Sequence, residues 1–240
     1  MIKEIKSRQN ELIKEVAKLD NPTYRKEVGL FKVEGFHMLE MAVEAKVVKQ
    51  VFSLKKIDNL DESIPQYIVS KEVLEKISST KSPQGVVVVC KLLPQNKIKS
   101  NKALYLDGVS DPGNLGTILR TALAFDFCDV VLSKNCCSIY NEKTLQASQG
   151  AIFNLNIVSD KNLADLKKDK YQIIATEIKG SISLEKVQKK DKFVLVLGNE
   201  AHGVSKETLE LADYRVRIDI KNIESLNVAI AGAIAMYSLK

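Results

Sequence analysis

The chain contains no tryptophan, five prolines, eleven glycines and two histidines in 240 residues. So little proline and glycine excludes collagen-like and low-complexity classes, and 45% hydrophobic residues exclude disorder as the main state. The longest apolar stretch, Val228 to Leu239, is interrupted by Gly232 and falls well short of the roughly 20 residues of a membrane span. Met1-Ile2-Lys3-Glu4 opens with mixed charge and no apolar core, so no secretory leader is expected and the cytoplasm is the expected location. The four cysteines (Cys90, Cys128, Cys136, Cys137) show no C-x-x-C spacing, and only His37 and His202 could join them. Reduced thiols are expected, with neither a disulfide framework nor a metal site.

The net charge is modest, +6 from 36 Lys/Arg and 30 Asp/Glu. Its distribution is uneven, with 18 Lys/Arg against 13 Asp/Glu in residues 1–100 and 18 against 17 in the remainder. A basic excess confined to one segment suits a polyanion partner, although a solvated lysine-rich surface gives the same count.

Apolar periodicity divides the chain in two. In the first part it predicts helices over Asn10–Leu19, Met38–Ala45 and Ser70–Ser79, and strands over Leu30–Val33, Val47–Ser53 and Val86–Cys90. A polar, aperiodic stretch follows and reads as a linker. The second part predicts strands over Ala103–Leu106, Asp129–Leu132, Gln172–Ala175, Phe193–Leu197 and Tyr214–Ile218. Helices fall at Leu115–Phe125, near Lys143–Ala147, at Lys206–Ala212 and at Leu226–Leu239. Alternating strands and helices argue for a mostly parallel sheet covered on both faces, with ligand loops at the carboxyl ends of its strands.

Three polar loops stand out. Asp107 to Thr117 joins a strand to a helix, with Asn114 as the expected helix cap and Arg120 on the polar flank beyond it. An isolated helical arginine is more often simply solvated. Gly198-Asn199-Glu200-Ala201-His202-Gly203 follows an apolar strand, its glycines suited to close approach of a ligand; His202 reads first as a surface residue. Glu224-Ser225-Leu226-Asn227 enters a helix of alanines and glycine, where Ser225 reads as a cap and the small residues as close packing. Neither a P-loop, a dinucleotide-binding fingerprint, a nucleophile elbow nor a zinc-protease motif is present.

Together, Asp111-Pro112-Gly113-Asn114-Leu115-Gly116-Thr117-Ile118-Leu119-Arg120-Thr121-Ala122, Leu197-Gly198-Asn199-Glu200 and Glu224-Ser225-Leu226-Asn227-Val228-Ala229 resemble, in order and spacing, the three motifs of the SpoU (TrmH) family of RNA ribose 2′-O-methyltransferases in the SPOUT superfamily. Val33-Glu34-Gly35 and Lys81-Ser82-Pro83-Gln84-Gly85 resemble the substrate-binding domain that precedes the catalytic one in many members. The resemblance implies an N-terminal α/β RNA-binding domain (1–93), a linker (94–102) and a trefoil-knotted, mostly parallel α/β methyltransferase domain (103–240). It also implies a homodimer that uses S-adenosylmethionine, with the active site completed across the dimer. By the same resemblance Asn114, Arg120, Glu200, Ser225 and Asn227 form the catalytic centre, and Thr176, Gly198, Ile218 and Leu226 hold the cofactor, with no metal.

Family accounts often make the motif arginine a base. A guanidinium that titrates above about 12 argues instead that Arg120 orients a phosphate and stabilises a developing alkoxide. Three positions depart from the family pattern: Gln146 for a usual Arg, Asp219 for a usual Pro, and Ala201 for a common Gly. Ribosomal RNA is the expected substrate, transfer RNA the alternative, and an RNA-binding protein without turnover the reading from another class.

Overall fold

The computed structural model describes residues 2–80, 83–159 and 161–240. Lys81 and Ser82 of the family-like segment 81–85 lie outside the described residues. The chain forms two compact units, Met1–Leu93 and Pro94–Lys240.

The first unit holds a five-stranded mixed sheet. Its strands are β1 (Ile2–Ile5), β2 (Leu30–Glu34), β3 (Val48–Ser53), β4 (Gln66–Val69) and β5 (Val86–Lys91), in the order β1-β4-β3-β5-β2. β4 pairs parallel with β1 and β3, whereas β5 pairs antiparallel with β2 and β3. Helices α1 (Glu11–Lys18) and α4 (Lys71–Ile77) bring Ile13, Val16, Val73, Leu74 and Ile77 onto Phe52, Val87 and Val89 of the sheet. Asn10 and Ser70 cap these two helices. Helices α2 (Pro22–Val28) and α3 (Phe36–Glu44) complete the unit. Sequence periodicity missed β1, α2 and β4. β1 buries only Ile5, and α2 buries no residue, so neither carries an apolar signature.

The second unit is built on seven strands whose pairings are all parallel. They are β6 (Lys102–Asp107), β7 (Asp129–Leu132), β8 (Asn156–Ser159), β9 (Gln172–Thr176), β10 (Ile182–Ser183), β11 (Phe193–Gly198) and β12 (Tyr214–Arg217), in the order β10-β12-β9-β11-β6-β7-β8. Alternate side chains of β6, β9 and β11 point to opposite faces. Ala103, Tyr105, Ile173, Ala175, Val194 and Val196 pack with Leu163 and Leu166 of helix α7 (Leu163–Lys168), against which Leu209 of α8 (Lys206–Leu211) also rests. Helices α5 (Pro112–Ala124), α6 (Glu142–Ser148) and α9 (Val228–Leu239) pack together on the other side. There Gly232 of α9 sits so close to Leu197 that an added Cβ would lie 2.6 Å from Leu197 Cδ1. The small-residue pattern of this helix is therefore a packing feature. Short β8, β10 and α7 escaped the sequence reading.

The polar stretch after residue 93 is fastened to the second unit. Asp129, buried at the start of β7, accepts from the amides of Lys99 (2.9 Å) and Ser100 (2.7 Å). Asn156 accepts from the Asn96 amide at 3.0 Å, and Gln95 Oε1 accepts from the Ser159 amide at 3.1 Å. Among the described residues no helix is long and apolar enough to cross a membrane.

Candidate active site

Strands β6 and β11 lie side by side with Leu106 opposite Leu197 and Asp107 opposite Gly198, so their following loops emerge together. Asp107 Oδ2 accepts from the Ser205 amide at 2.8 Å, tying the end of one loop to the start of the other. The turn 198–203 closes on itself through paired Asn199 and Gly203 backbone bonds of 2.9 Å. Asn199 Nδ2 donates to the Gly108 carbonyl at 2.8 Å, while its Oδ1 accepts from the Ala201 and His202 amides.

Glu200 is the hub. Its Oε1 accepts from the Asp111 amide (3.0 Å) and from Asn114 Nδ2 (3.0 Å), and its Oε2 from the Ser110 amide (3.2 Å) and hydroxyl (3.1 Å). Partial burial alone would raise this carboxyl's pKa. The hydrogen bonds from Asn114 and from the Ser110 and Asp111 amides outweigh it and hold the pKa at about 2. Glu200 is thus a carboxylate throughout the neutral range, engaged in orienting its neighbours.

Asn114 is not the cap of α5. The helix begins three residues earlier than expected: Asp111 Oδ1 accepts from the Asn114 amide at 2.8 Å and Pro112 takes the first helical position. This frees the Asn114 side chain to turn toward Glu200. Nor is Ser225 a cap: Asn227 Oδ1 accepts from the Ala229 (2.9 Å) and Ile230 (3.3 Å) amides at the start of α9. With its oxygen so engaged, Asn227 presents Nδ2 to Asn114 Oδ1 at 2.9 Å. The directions follow in sequence, since an amide that accepts at oxygen must donate at nitrogen. Asn227 donates to Asn114, and Asn114 donates to Glu200. Asn114 keeps one N–H and one lone pair for another molecule.

Thus Asn114, Glu200 and Asn227 form one hydrogen-bonded chain. Arg120 and Ser225 are exposed and stand outside it; among the described residues Arg120 has no ion-pair partner. The contributions of Ser110, Asp111 and Asn199 were missed from sequence. An Asp followed by Pro is itself a helix-start signal that points to Asp111.

The other candidate residues gather at the carboxyl ends of neighbouring strands. Thr176 ends β9, and its hydroxyl donates to the Val196 carbonyl at 3.1 Å. Gly198 ends β11. A Cβ there would collide with the backbone of Gly203 and Val204, so the loop's own return requires a glycine. Ile218 follows β12, and residues 218–227 form no helix, strand or hydrogen-bonded turn, with Ile218, Ile220 and Leu226 half-buried. Asp219 accepts from Arg217 Nε at 3.0 Å, and Gln146 donates to Glu142 within α6. Both departures from the family pattern therefore have local partners.

A model of the SpoU rRNA methylase family matches residues 101–237, and a model of the MRM3-like substrate binding domain matches residues 10–88. The chain is 31% identical, over the whole of both chains, to the 23S rRNA guanosine 2′-O-methyltransferase RlmP of Bacillus subtilis. It is also similar to a solved rRNA methyltransferase from Sinorhizobium meliloti, with a TM-score of 0.87 and 26% identity over 99% of this chain and 96% of that one. The AdoMet-bound form of the Sinorhizobium protein matches with a TM-score of 0.85 and 25% identity, over 99% of this chain and 97% of that one.

Proposed function

The chain belongs to the SpoU rRNA methylase family, and from that premise we propose that it methylates ribosomal RNA as a homodimer, with the Asn227–Asn114–Glu200 chain as the frame of its active site. The reaction is transfer of a methyl group from S-adenosylmethionine to a ribose 2′-hydroxyl of RNA. The second unit has the mostly parallel α/β fold typical of the trefoil-knotted SPOUT superfamily.

The segment 218–227 fits the cofactor. Its backbone before Asn227 is neither helix nor strand, and Ile218, Ile220 and Leu226 give it a half-buried apolar lining, the combination that holds a nucleobase by face and edge. Thr176, Gly198, Ile218 and Leu226 would hold it, and the bound sulfonium supplies an activated methyl.

What remains for the protein is positioning and electrostatics. Asn114, with one donor and one acceptor left, would orient the ribose hydroxyl. Glu200, already accepting five hydrogen bonds at low pKa, positions Asn114 and is not the proton acceptor. Arg120, exposed on the flank of α5, would bind a substrate phosphate and stabilise the forming alkoxide. Ser225, exposed beside the start of α9, would contact the same nucleotide. The dimer reading is supported by α9, where Ile230, Ile234 and Tyr237 are 51%, 38% and 59% exposed along one stripe, more apolar surface than a lone helix face usually presents.

Methyl transfer from labelled S-adenosylmethionine to deproteinised rRNA and to bulk tRNA tests the reading. Labelling of rRNA at ribose oxygen is expected; labelling confined to tRNA would replace the substrate. No transfer to either, with cofactor binding absent by calorimetry, would leave an RNA-binding protein.

A further inference from the structure

We propose that Phe36 is a stacking platform for an unpaired base of the substrate RNA, flanked by Leu54, with Lys55 beside it for the backbone. Phe36 opens α3 and is 52% exposed, and Leu54, just past β3, is 41% exposed. The two flank Gly85. The Leu54 amide donates to the Gly85 carbonyl at 3.2 Å, and Phe36 Cε2 lies 3.9 Å from where a Cβ on Gly85 would stand. Gly85 has φ +84°, and Gly35, before the aromatic, has φ +96°. The Gln84 side-chain amide is folded over Gly35, the residue before the aromatic, at the place a Cβ would occupy.

The platform is built rather than loose. The Ser53 hydroxyl donates to the Lys55 carbonyl at 2.7 Å, and the Ile57 amide donates to Gln66 Oε1 at 3.2 Å, fixing the turn that carries Leu54 and Lys55. On the other side, Glu34 accepts from the hydroxyls of Ser78 (2.6 Å) and Thr80 (2.9 Å) and from the Ser79 amide.

Charge distinguishes a nucleic acid from an apolar partner. Glu34 is engaged by those donors and Asp58 by Lys56 at 3.1 Å, whereas Lys55 is exposed with no ion-pair partner among the described residues. Glu40 and Glu44, one and two helical turns beyond Phe36, are the exposed carboxylates on α3. An exposed ring, an apolar neighbour, a side-chain amide and a free cation are the components of single-stranded base recognition: face, edge and phosphate. A paired duplex offers no free base face to such a surface.

The inference rests on the RNA-methyltransferase reading but can fail separately from it. Because the chain has no tryptophan, Phe36→Trp introduces the sole indole at the platform. Titrated with a single-stranded oligouridylate and with a fully paired RNA duplex, its fluorescence should be quenched by the first far more than by the second. Phe36→Ala should weaken binding of deproteinised rRNA by about 5- to 100-fold and Phe36→Leu nearly as much, while Phe36→Tyr retains it, since stacking needs the ring. Cofactor binding, read by calorimetry, should be unchanged in all four. Unquenched indole fluorescence together with wild-type rRNA affinity of Phe36→Ala would overturn the platform, even with methyl transfer by the wild type intact. A shift of Phe36→Ala to smaller species in sedimentation would overturn it in favour of a second copy of the chain.

Discussion

Asn227 performs two tasks with one amide: its oxygen caps α9 and its nitrogen aligns Asn114. The tasks separate by substitution. Aspartate caps a helix as well as asparagine does but has no N–H to give, so Asn227→Asp should unfold at the wild-type urea midpoint within about 0.5 kcal/mol. Its methyl transfer should nevertheless fall at least about tenfold, because the Asn114 amide loses the donor that turns its nitrogen toward Glu200. Single-turnover transfer at unchanged rate would show that the chain of amides is not part of the reaction. The residues of this chain were visible in the sequence, but their mutual bonds were not. Asn114, Glu200 and Asn227 are separated by most of the second unit, and pattern reading carries no distance between loops. It also assigned the cap of α5 to Asn114, because an asparagine before an apolar helical face is a familiar start signal; the competing Asp-Pro pair three residues earlier prevailed.

Among the elements, α5 and α6 approach closely at Gly116. A Cβ on Gly116 would lie 2.5 Å from Ala147 Cβ, 2.6 Å from the Thr144 carbonyl and 2.9 Å from the Ser148 amide. Two of these neighbours are backbone and cannot turn aside, so Gly116→Ala should lower stability by about 1–3 kcal/mol in urea unfolding. Gly232→Ala, which meets the movable end of Leu197, should be the milder change. An equal effect of the two would mean that α5 and α6 separate more easily than their packing implies. Elements with long apolar faces, such as α1, β6, β11 and α9, were legible from periodicity. β4, β8 and β10 were not: unlike the apolar run of β7 and the alternation of β12, their two to four residues show no clear period, and pairing with neighbouring strands fixes them instead.

For the whole molecule, the exposed stripe of α9 is the surface on which the proposed dimer is tested. Tyr237 meets Phe125 edge-on at 5.7 Å, which gives the stripe a firm base, and Ile234 stands at its centre. Ile234→Lys should shift the sedimenting species from dimer to monomer and remove methyl transfer while leaving the urea transition near that of the wild type, because the side chain faces outward. Unchanged sedimentation would place the interface elsewhere. The sheet's parallel character could be read from alternating strands and helices, but its order could not: β11 pairs with β6 across a long stretch of chain, and local patterns hold no record of such crossovers.

The stretch after residue 93 has the composition of a dispensable spacer, yet its amides and side chains satisfy Asp129, Asn156 and the end of β8. If the two units came together by fusion of separate genes, the seam lies at Leu93–Pro94 and not where the polar run ends. A catalytic unit transplanted onto another recognition domain must carry residues 95–100 with it, or it arrives with the buried Asp129 carboxylate stripped of its two backbone donors.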